Sequence, residues 1–403
     1  MRARTRARLL PLALAVALVA AAGCGSDEPS GSSGGAASQR FTPPEVPMLQ
    51  SLGAGEGKVN LVAWAGYVED GSTDPKVDWV TPFEKETGCQ VNVKVAATSD
   101  EMVQLMKSGQ YDAVSASGDA SLRLIAGGDV APVNTDLVPN YKDVFDALKM
   151  KPWNSVNGKA YGIPHGRGAN LLMWRTDVVK PAPDSWGVVF DPASPYEGKV
   201  TAYDSPIYIA DAALYLKATK PELGIDNPYE LDDKQFQASV DLLKQQAGIV
   251  GEYWSDYAKA VQAFKSGSTV VGTTWQIIAN LAQADKAPVK AILPKEGSTG
   301  WSDTWMVSSK AANPNCAYRW MNYVISPKVN AQVAEWFGEA PANRKACQET
   351  ADKQHCATFH ADDEAYFARV AWWTTPIADC GDDRGRVCKD YSAWTTAWTE
   401  IKG

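Results

Sequence analysis

Residues 58–68, KVNLVAWAGYV, form a short run of β-branched and aromatic residues, the pattern of a buried strand. The segments after it decide how that strand is used. Residues 73–88, TDPKVDWVTPFEKETG, put Val77, Val80 and Phe83 at helical spacing and end on Gly88, so a helix is expected there. CQVNVKVAA (89–97) alternates as a strand, and SDEMVQLMKSGQ (99–110) reads as a helix with Ser99 as its cap and Glu101 in its first turn. YDAVSAS (111–117) is a third strand, and DASLRLIAGGDVAPVN (119–134) a short helix ending in glycines. Alternation of this kind argues for an α/β domain with a largely parallel sheet.

Further along, YGIPHGRGANLLMWRTDVV (161–179) crowds three glycines and a proline into Tyr161–Gly168, and a new apolar run succeeds it. The chain is expected to change domain here, with His165 and Arg167 as hinge-loop residues. A second α/β pattern covers KVTAYDS (199–205), IADAALYLKAT (209–219), DDKQFQASVDLLKQQ (232–246), SDYAKAVQAFKSG (255–267) and STVVGTTW (268–275). Then comes GWSDTWMV (300–307), where strand geometry would set Trp301, Asp303 and Trp305 on one face. Two indoles and a carboxylate on one surface suit an organic cation; a half-buried strand with one satisfied aspartate is the plainer reading. CAYRWMNYVIS (316–326) and PKVNAQVAEWFGEA (327–340) are helical by spacing, and the remaining tail is polar, aromatic and cysteine-bearing.

The N-terminus bears on the compartment. MRARTRAR is a basic segment, LLPLALAVALVA an apolar run too short to span a bilayer, and AAGC sets small residues before Cys24. Residues 1–24 therefore look like a bacterial lipoprotein signal with Cys24 lipidated, an ordinary secretory signal being the alternative. Both put the mature protein outside the cytoplasmic membrane, held there by Cys24 in the first case. Residues 25–57, rich in Gly, Ser and Pro, are expected to form a flexible tether. The whole chain has a formal charge of −8; losing Arg2, Arg4, Arg6 and Arg8 with the signal takes it to −12. That balance argues against nucleic acid or an anionic lipid surface as partner and suits a cationic ligand.

Six cysteines lie beyond Cys24, and in an exported chain they point to disulfides. Spacing favours the local loops Cys347–Cys356 and Cys380–Cys388, leaving Cys89 with Cys316. The grouping of Cys347, His355, Cys356 and His360 matches no standard zinc spacing, so neither a metal nor another cofactor is expected. With only His165, His355 and His360, and no nucleophile, metalloprotease or phosphate-loop motif, catalysis is not expected either.

In order along the chain, the lipoprotein-type signal, the strand ending in Trp64, FEKETGCQV, YDAV, GIP and PKEG followed by WSD resemble the spermidine/putrescine-binding proteins of bacterial ABC importers. The similarity runs from about Lys58 to Gly403. It implies a type II periplasmic binding protein fold: two α/β lobes, a hinge and a ligand cleft between them. By the same resemblance lobe one is 58–163 with 302–343, and lobe two is 167–300 with 346–403. A monomer is expected that closes around a small organic cation and presents it to an ABC permease and its ATPase.

The family's aromatic and acidic box would fall on Trp64, Tyr67, Ser117, Asp119, Asp204, Trp275, Trp301 and Asp303. Methylene segments want flat apolar walls, and each ammonium wants an anion or a π face. Where the family has further acids this chain has Ala65, Gly66 and Ile207, and a tail amide position falls near Thr374. Fewer anions imply fewer bound ammonium groups, favouring putrescine-like ligands. Of the neighbours Trp372 and Trp373, at most one would face a ligand. Arg167 in the cleft would instead mark an anion-recognising variant. Phosphonate, thiamine or ferric ion are the alternative solutes, the tyrosines of AYRWMNY and EYWSDY reading as helix packing.

Overall fold

The computed structural model describes residues 42–403. The signal, Cys24 and the first part of the expected tether lie outside the described residues. The opening alternation produces strands β1 (Lys58–Ala63), β2 (Gln90–Val95) and β3 (Ala113–Ala116), with helices Val80–Thr87 and Ser99–Lys107 between them. The first helix stops where Gly88 takes φ 70°, a left-handed turn that glycine adopts without steric cost. The second is capped by Thr98 rather than Ser99: the Thr98 hydroxyl accepts the Glu101 N–H at 3.1 Å, while Ser99 is buried inside the first turn.

The remaining strands are β4 (Ser155–Val156), β5 (Lys159–Ala160), β6 (Ile163–Ala169), β7 (Leu171–Arg175), β8 (Val200–Tyr203), β9 (Val250–Trp254), β10 (Val271–Thr274), β11 (Val289–Ile292), β12 (Ser298–Val307), β13 (Ala340–Pro341) and β14 (Val370–Trp372). β4 and β5 form a small separate hairpin. The first sheet runs β13-β6-β12-β3-β1-β2, with β14 beside the start of β12, and the second runs β11-β7-β10-β8-β9. Each sheet centres one α/β lobe. Val59, Phe83, Trp305 and Trp320 belong to the core on one face of the first sheet, Met102, Val114 and Met306 to that on the other. The second lobe is built around Trp186, Phe190, Trp254 and Phe264.

The chain crosses between sheets at Asn170, between β6 and β7, and again over Leu293–Gly297, between β11 and β12. The expected hinge-loop residues His165 and Arg167 thus lie within a full strand, β6, and β12 begins at Ser298, so both strands extend the first sheet beyond the expected lobe boundaries. The tail also divides. Residues 346–372 pack beside β6 and β13, where Phe367 and Val370 join Ala169 and Leu171 in a small core. The helix Tyr391–Lys402 enters the second lobe, burying Trp394 and Trp398 there, and ahead of it Trp373 joins the same core and Arg384 donates to the Glu230 carbonyl and Gln235 Oε1.

The segment 42–57 is not a free tether. Val46 and Leu49 lie against the first lobe, and the Glu56 carboxylate accepts the N–H groups of Asn315 and Cys316 at 3.0 and 2.9 Å, at the start of helix Pro314–Val324. Burial opposes ionisation of Glu56, but these hydrogen bonds outweigh it and lower its pKa. Beside this anchor Cys89 is bonded to Cys316, while Cys347–Cys356 and Cys380–Cys388 close two short loops.

Candidate functional site

A cavity of about 360 Å³ opens between the lobes, where strand ends from both sheets converge. From the first lobe come Trp64 and Ala65 after β1, Ser117 after β3, Phe337 at the end of helix Pro327–Phe337, and Trp301 and Asp303 of β12. The second lobe contributes Tyr203 at the end of β8, Asp256 and Tyr257 after β9, and Trp275 after β10; Trp373 follows β14.

The walls are aromatic. Tyr203 stacks on Trp373 with centroids 5.6 Å apart and planes at 15°, and also meets Trp275 at 5.6 Å. Trp301 stands edge-on to Trp275 at 6.2 Å and to Phe337 at 5.7 Å. Trp275 is held by its indole N–H, which donates to Asn170 Oδ1 at 3.0 Å, so a residue at the crossing between sheets orients a cavity wall. The indole N–H groups of Trp64, Trp301 and Trp373 have no acceptor among the described residues.

Asp303 forms the floor and is 3% exposed. Ser117 Oγ donates to its Oδ1 at 2.6 Å and Tyr67 Oη reaches its Oδ2 at 2.8 Å. Burial pushes its pKa up to about 7, against the pull of those two donors. Behind Tyr67 lies Glu339, fully buried, with Oε2 3.0 Å from the same hydroxyl. Burial first, then the nearby Asp303 charge, raises its carboxyl well above the usual range. The second cavity acid, Asp256, sits at the exposed rim and caps helix Tyr257–Ser266 by accepting the Ala258 N–H at 2.9 Å. Among the described residues no lysine, arginine or histidine lines the cavity.

Of the residues expected from sequence, Trp64, Ser117, Trp275, Trp301 and Asp303 line the cavity, and Tyr67 lies beneath it. Asp119 does not reach it. It is buried behind the helix start, accepting from Ser99 at 2.9 Å, and burial raises its pKa to about 6. Asp204 does not reach it either: Lys402 Nζ contacts its oxygens at 2.7 and 2.8 Å and Trp398 Nε1 donates at 3.1 Å. The cause is strand alternation, since Tyr203 faces the cavity and the next residue faces away.

Trp305 shares its strand face with Asp303 but is fully buried, its indole donating to His165 Nδ1. Arg167 lies outside the cavity, its guanidinium on Glu364 at 2.7 Å and over the Phe367 ring at 3.8 Å, so it offers a ligand no cation. Trp373 faces the cavity, whereas Trp372 turns to Trp153 and Phe367.

Sequence reasoning missed Tyr203, Asp256, Tyr257, Phe337 and Glu339. Tyr203 was within reach, as the alternation partner of Asp204. Tyr257, taken as helix packing, opens its helix at the cavity rim, and Phe337 ends one there; periodicity cannot distinguish such ends from core.

Residues 78–363 match the family model of bacterial extracellular solute-binding proteins. Among curated relatives, the spermidine/putrescine-binding periplasmic protein 1 of Haemophilus influenzae is 26% identical over 302 residues, covering 74% of this chain and 78% of the relative. The putrescine-binding periplasmic protein PotF of Escherichia coli is 24% identical over 373 residues, covering 87% and 93%. In fold, a putative spermidine/putrescine ABC transporter protein from Listeria monocytogenes superposes with TM-score 0.70 at 18% identity, over 86% of this chain and 99% of the other. The Tp0655 lipoprotein of Treponema pallidum superposes with TM-score 0.68 at 16% identity, over 86% and 99%. Two lobes, a cleft between them and a family match across most of the domain lead to one conclusion: the chain belongs to the bacterial extracellular solute-binding protein family.

Proposed function

We propose that the protein captures a putrescine-like diamine or a related organic cation between its lobes and delivers it to an ABC permease from a lipid anchor at Cys24. One observation carries this reading: a buried carboxylate, Asp303, floors a cavity with aromatic walls and, among the described residues, no basic lining residue. Each indole or phenol face adds about 0.5–2 kcal/mol to a desolvated cation, and Asp303 adds a charge-assisted hydrogen bond. A second ammonium would lie toward Asp256 at the rim. Ala65, inside the cavity, and Ile207, buried in the second lobe's core, supply no further anion, which disfavours longer polyamines. Closure would bend the crossings at Asn170 and Leu293–Gly297 and bring Tyr203, Tyr257 and Trp275 over a ligand resting on Trp64, Trp301 and Asp303.

The test is a tryptophan-fluorescence titration of the full chain with putrescine, spermidine, choline, γ-aminobutyrate, thiamine, inorganic phosphate and ferric citrate. The amino acid probes whether the unpartnered indole N–H groups want an acceptor oxygen. A saturable response to a linear amine, weakened at least tenfold by Asp303→Asn and by Trp301→Ala, is expected. Binding of only an anion or a metal, or unchanged amine affinity in both variants, would remove the cation reading.

A further inference from the structure

Proton counting at the cavity floor bears on a residue that no ligand would touch. Tyr67 Oη lies 2.8 Å from Asp303 Oδ2 and 3.0 Å from Glu339 Oε2. A phenol has one proton, so it can donate to one of these carboxyl groups, and the other contact needs a proton from the carboxyl side. Asp303 has a second donor in Ser117 and opens on the cavity. Glu339 is fully buried, and its Oε1 has no hydrogen-bond partner among the described residues. Between the two, ionised Asp303 and neutral Glu339 is the arrangement that leaves the smaller unpaired charge.

The groups around the pair agree. Trp305 Nε1–H can only donate and lies 3.2 Å from His165 Nδ1, so Nδ1 accepts and the ring proton sits on Nε2. That nitrogen is 3.5 Å from Glu339 Oε1, and burial lowers the ring's pKa to about 3, which keeps it uncharged. Of the other acids, Asp119 in the first lobe opposes charge on Asp303, set against the Ser117 and Tyr67 donors that favour it, and Tyr203 from the second lobe stays a neutral phenol, kept so by burial and then by these carboxylates. His355 touches only the backbone carbonyl of Glu339, and Arg167 on β6 is spent on Glu364. Among the described residues no lysine or arginine forms an ion pair with either carboxyl. Gly166 closes the pocket: a Cβ there would stand 2.1 Å from Glu339 Cδ, so the carboxyl packs on bare backbone.

We infer that Glu339 carries a proton and is a positioning residue for cation capture: through Tyr67 it commits the phenolic proton to Asp303, so the floor offers one negative charge to one cationic head group. This rests on reading the cavity as a cation site. The head group meets Asp303 alone; any further charge on the ligand must be met elsewhere.

Infrared difference spectroscopy of the ligand-free full chain at pH 8 tests the proton directly. A protonated-carboxyl C=O band that Glu339→Gln removes is expected, and Tyr67→Phe should shift the same band by removing its hydrogen-bond partner. Absence of any such band overturns the inference whether or not an amine binds, so this arm is independent of the ligand reading. Putrescine titration tests the role. Glu339→Gln keeps a donor toward Tyr67 and should bind within about twofold of wild type; a tenfold loss would mean that Glu339 supplies charge, overturning the inference. Tyr67→Phe should weaken binding about tenfold at pH 7 and move the midpoint of its pH profile upward, because Asp303 loses a donor to its ionised form. An unmoved midpoint would overturn the relay.

Discussion

Asp303, in the WSD of β12, and Asp204, in the YDS that closes β8, both read as ligand carboxylates by the family resemblance. Their surroundings separate them. Asp303 meets two hydroxyl donors and a cavity, whereas Asp204 meets the ammonium of Lys402 and the indole of Trp398. Asp204→Ala should therefore leave amine affinity within twofold while lowering stability by about 1 kcal/mol, the scale of a partly exposed ion pair with one added hydrogen bond. Denaturant unfolding beside the titration checks both; a tenfold affinity loss would return Asp204 to the site. The aromatic motifs pointed in advance to Trp64, Trp275 and Trp301, because an indole beside a strand end or an acid is conspicuous in sequence, but not to Tyr203, Tyr257 or Phe337. Glu339 left no such signal: nothing in FGEAP marks an acid that folds under a tyrosine 272 positions away.

Strand β6 shows how composition can mislead about an element. IPHGRGA carries two glycines and a proline, which in isolation mark a loop. In the structure it lies between β12 and β13, and its glycines are there for close approach. A Cβ at Gly168 would stand 2.5 Å from Trp301 Cζ2, and one at Gly162, just before the strand, 2.4 Å from Thr304 Oγ1. Opposite Asp303 and Thr304 the strand pairs through Gly166 and then Pro164, so His165 is the extra residue of a bulge, which sets its ring between Tyr67 and Trp305. Gly168→Ala is expected to push Trp301 into the cavity and weaken amine binding at least tenfold with the fold retained. Titration with a parallel circular-dichroism spectrum checks this, and unchanged affinity would show that the strand yields instead of the indole.

Across the molecule, buried acids make the empty protein sensitive to alkali. Burial raises Asp211 and Asp303 to about 7 and Glu339 well above its usual range. The native state thus holds protons that the unfolded chain has already released, and stability falls as pH rises from about 4 through those values. His165 and His355, lowered by burial, act oppositely, but only below about pH 6.5, where the unfolded imidazoles take up protons. From pH 6.5 to 8 the acids act without that opposition. The ligand-free melting temperature should drop over this interval, and Asp211→Asn should flatten the drop; a flat or rising profile in wild type would contradict this electrostatic account. The tail links the lobes as well, with Thr375 donating to the Asp119 carbonyl at 2.8 Å and Arg123 over the Tyr391 ring at 4.1 Å.

The α/β class and the second α/β pattern were legible from local order, because hydrophobic period and turn residues depend on neighbours a few positions apart; Trp64, Trp275 and Trp301 were placed at the cavity with the help of the family resemblance, and Tyr203, Tyr257 and Phe337 were not. Which acid is free, which is neutralised and which carries a proton was not legible. Those outcomes depend on groups brought together from distant positions, as Asp204 with Lys402 and Glu339 with Tyr67, and burial changes the cost of each charge only once the chain has folded around it.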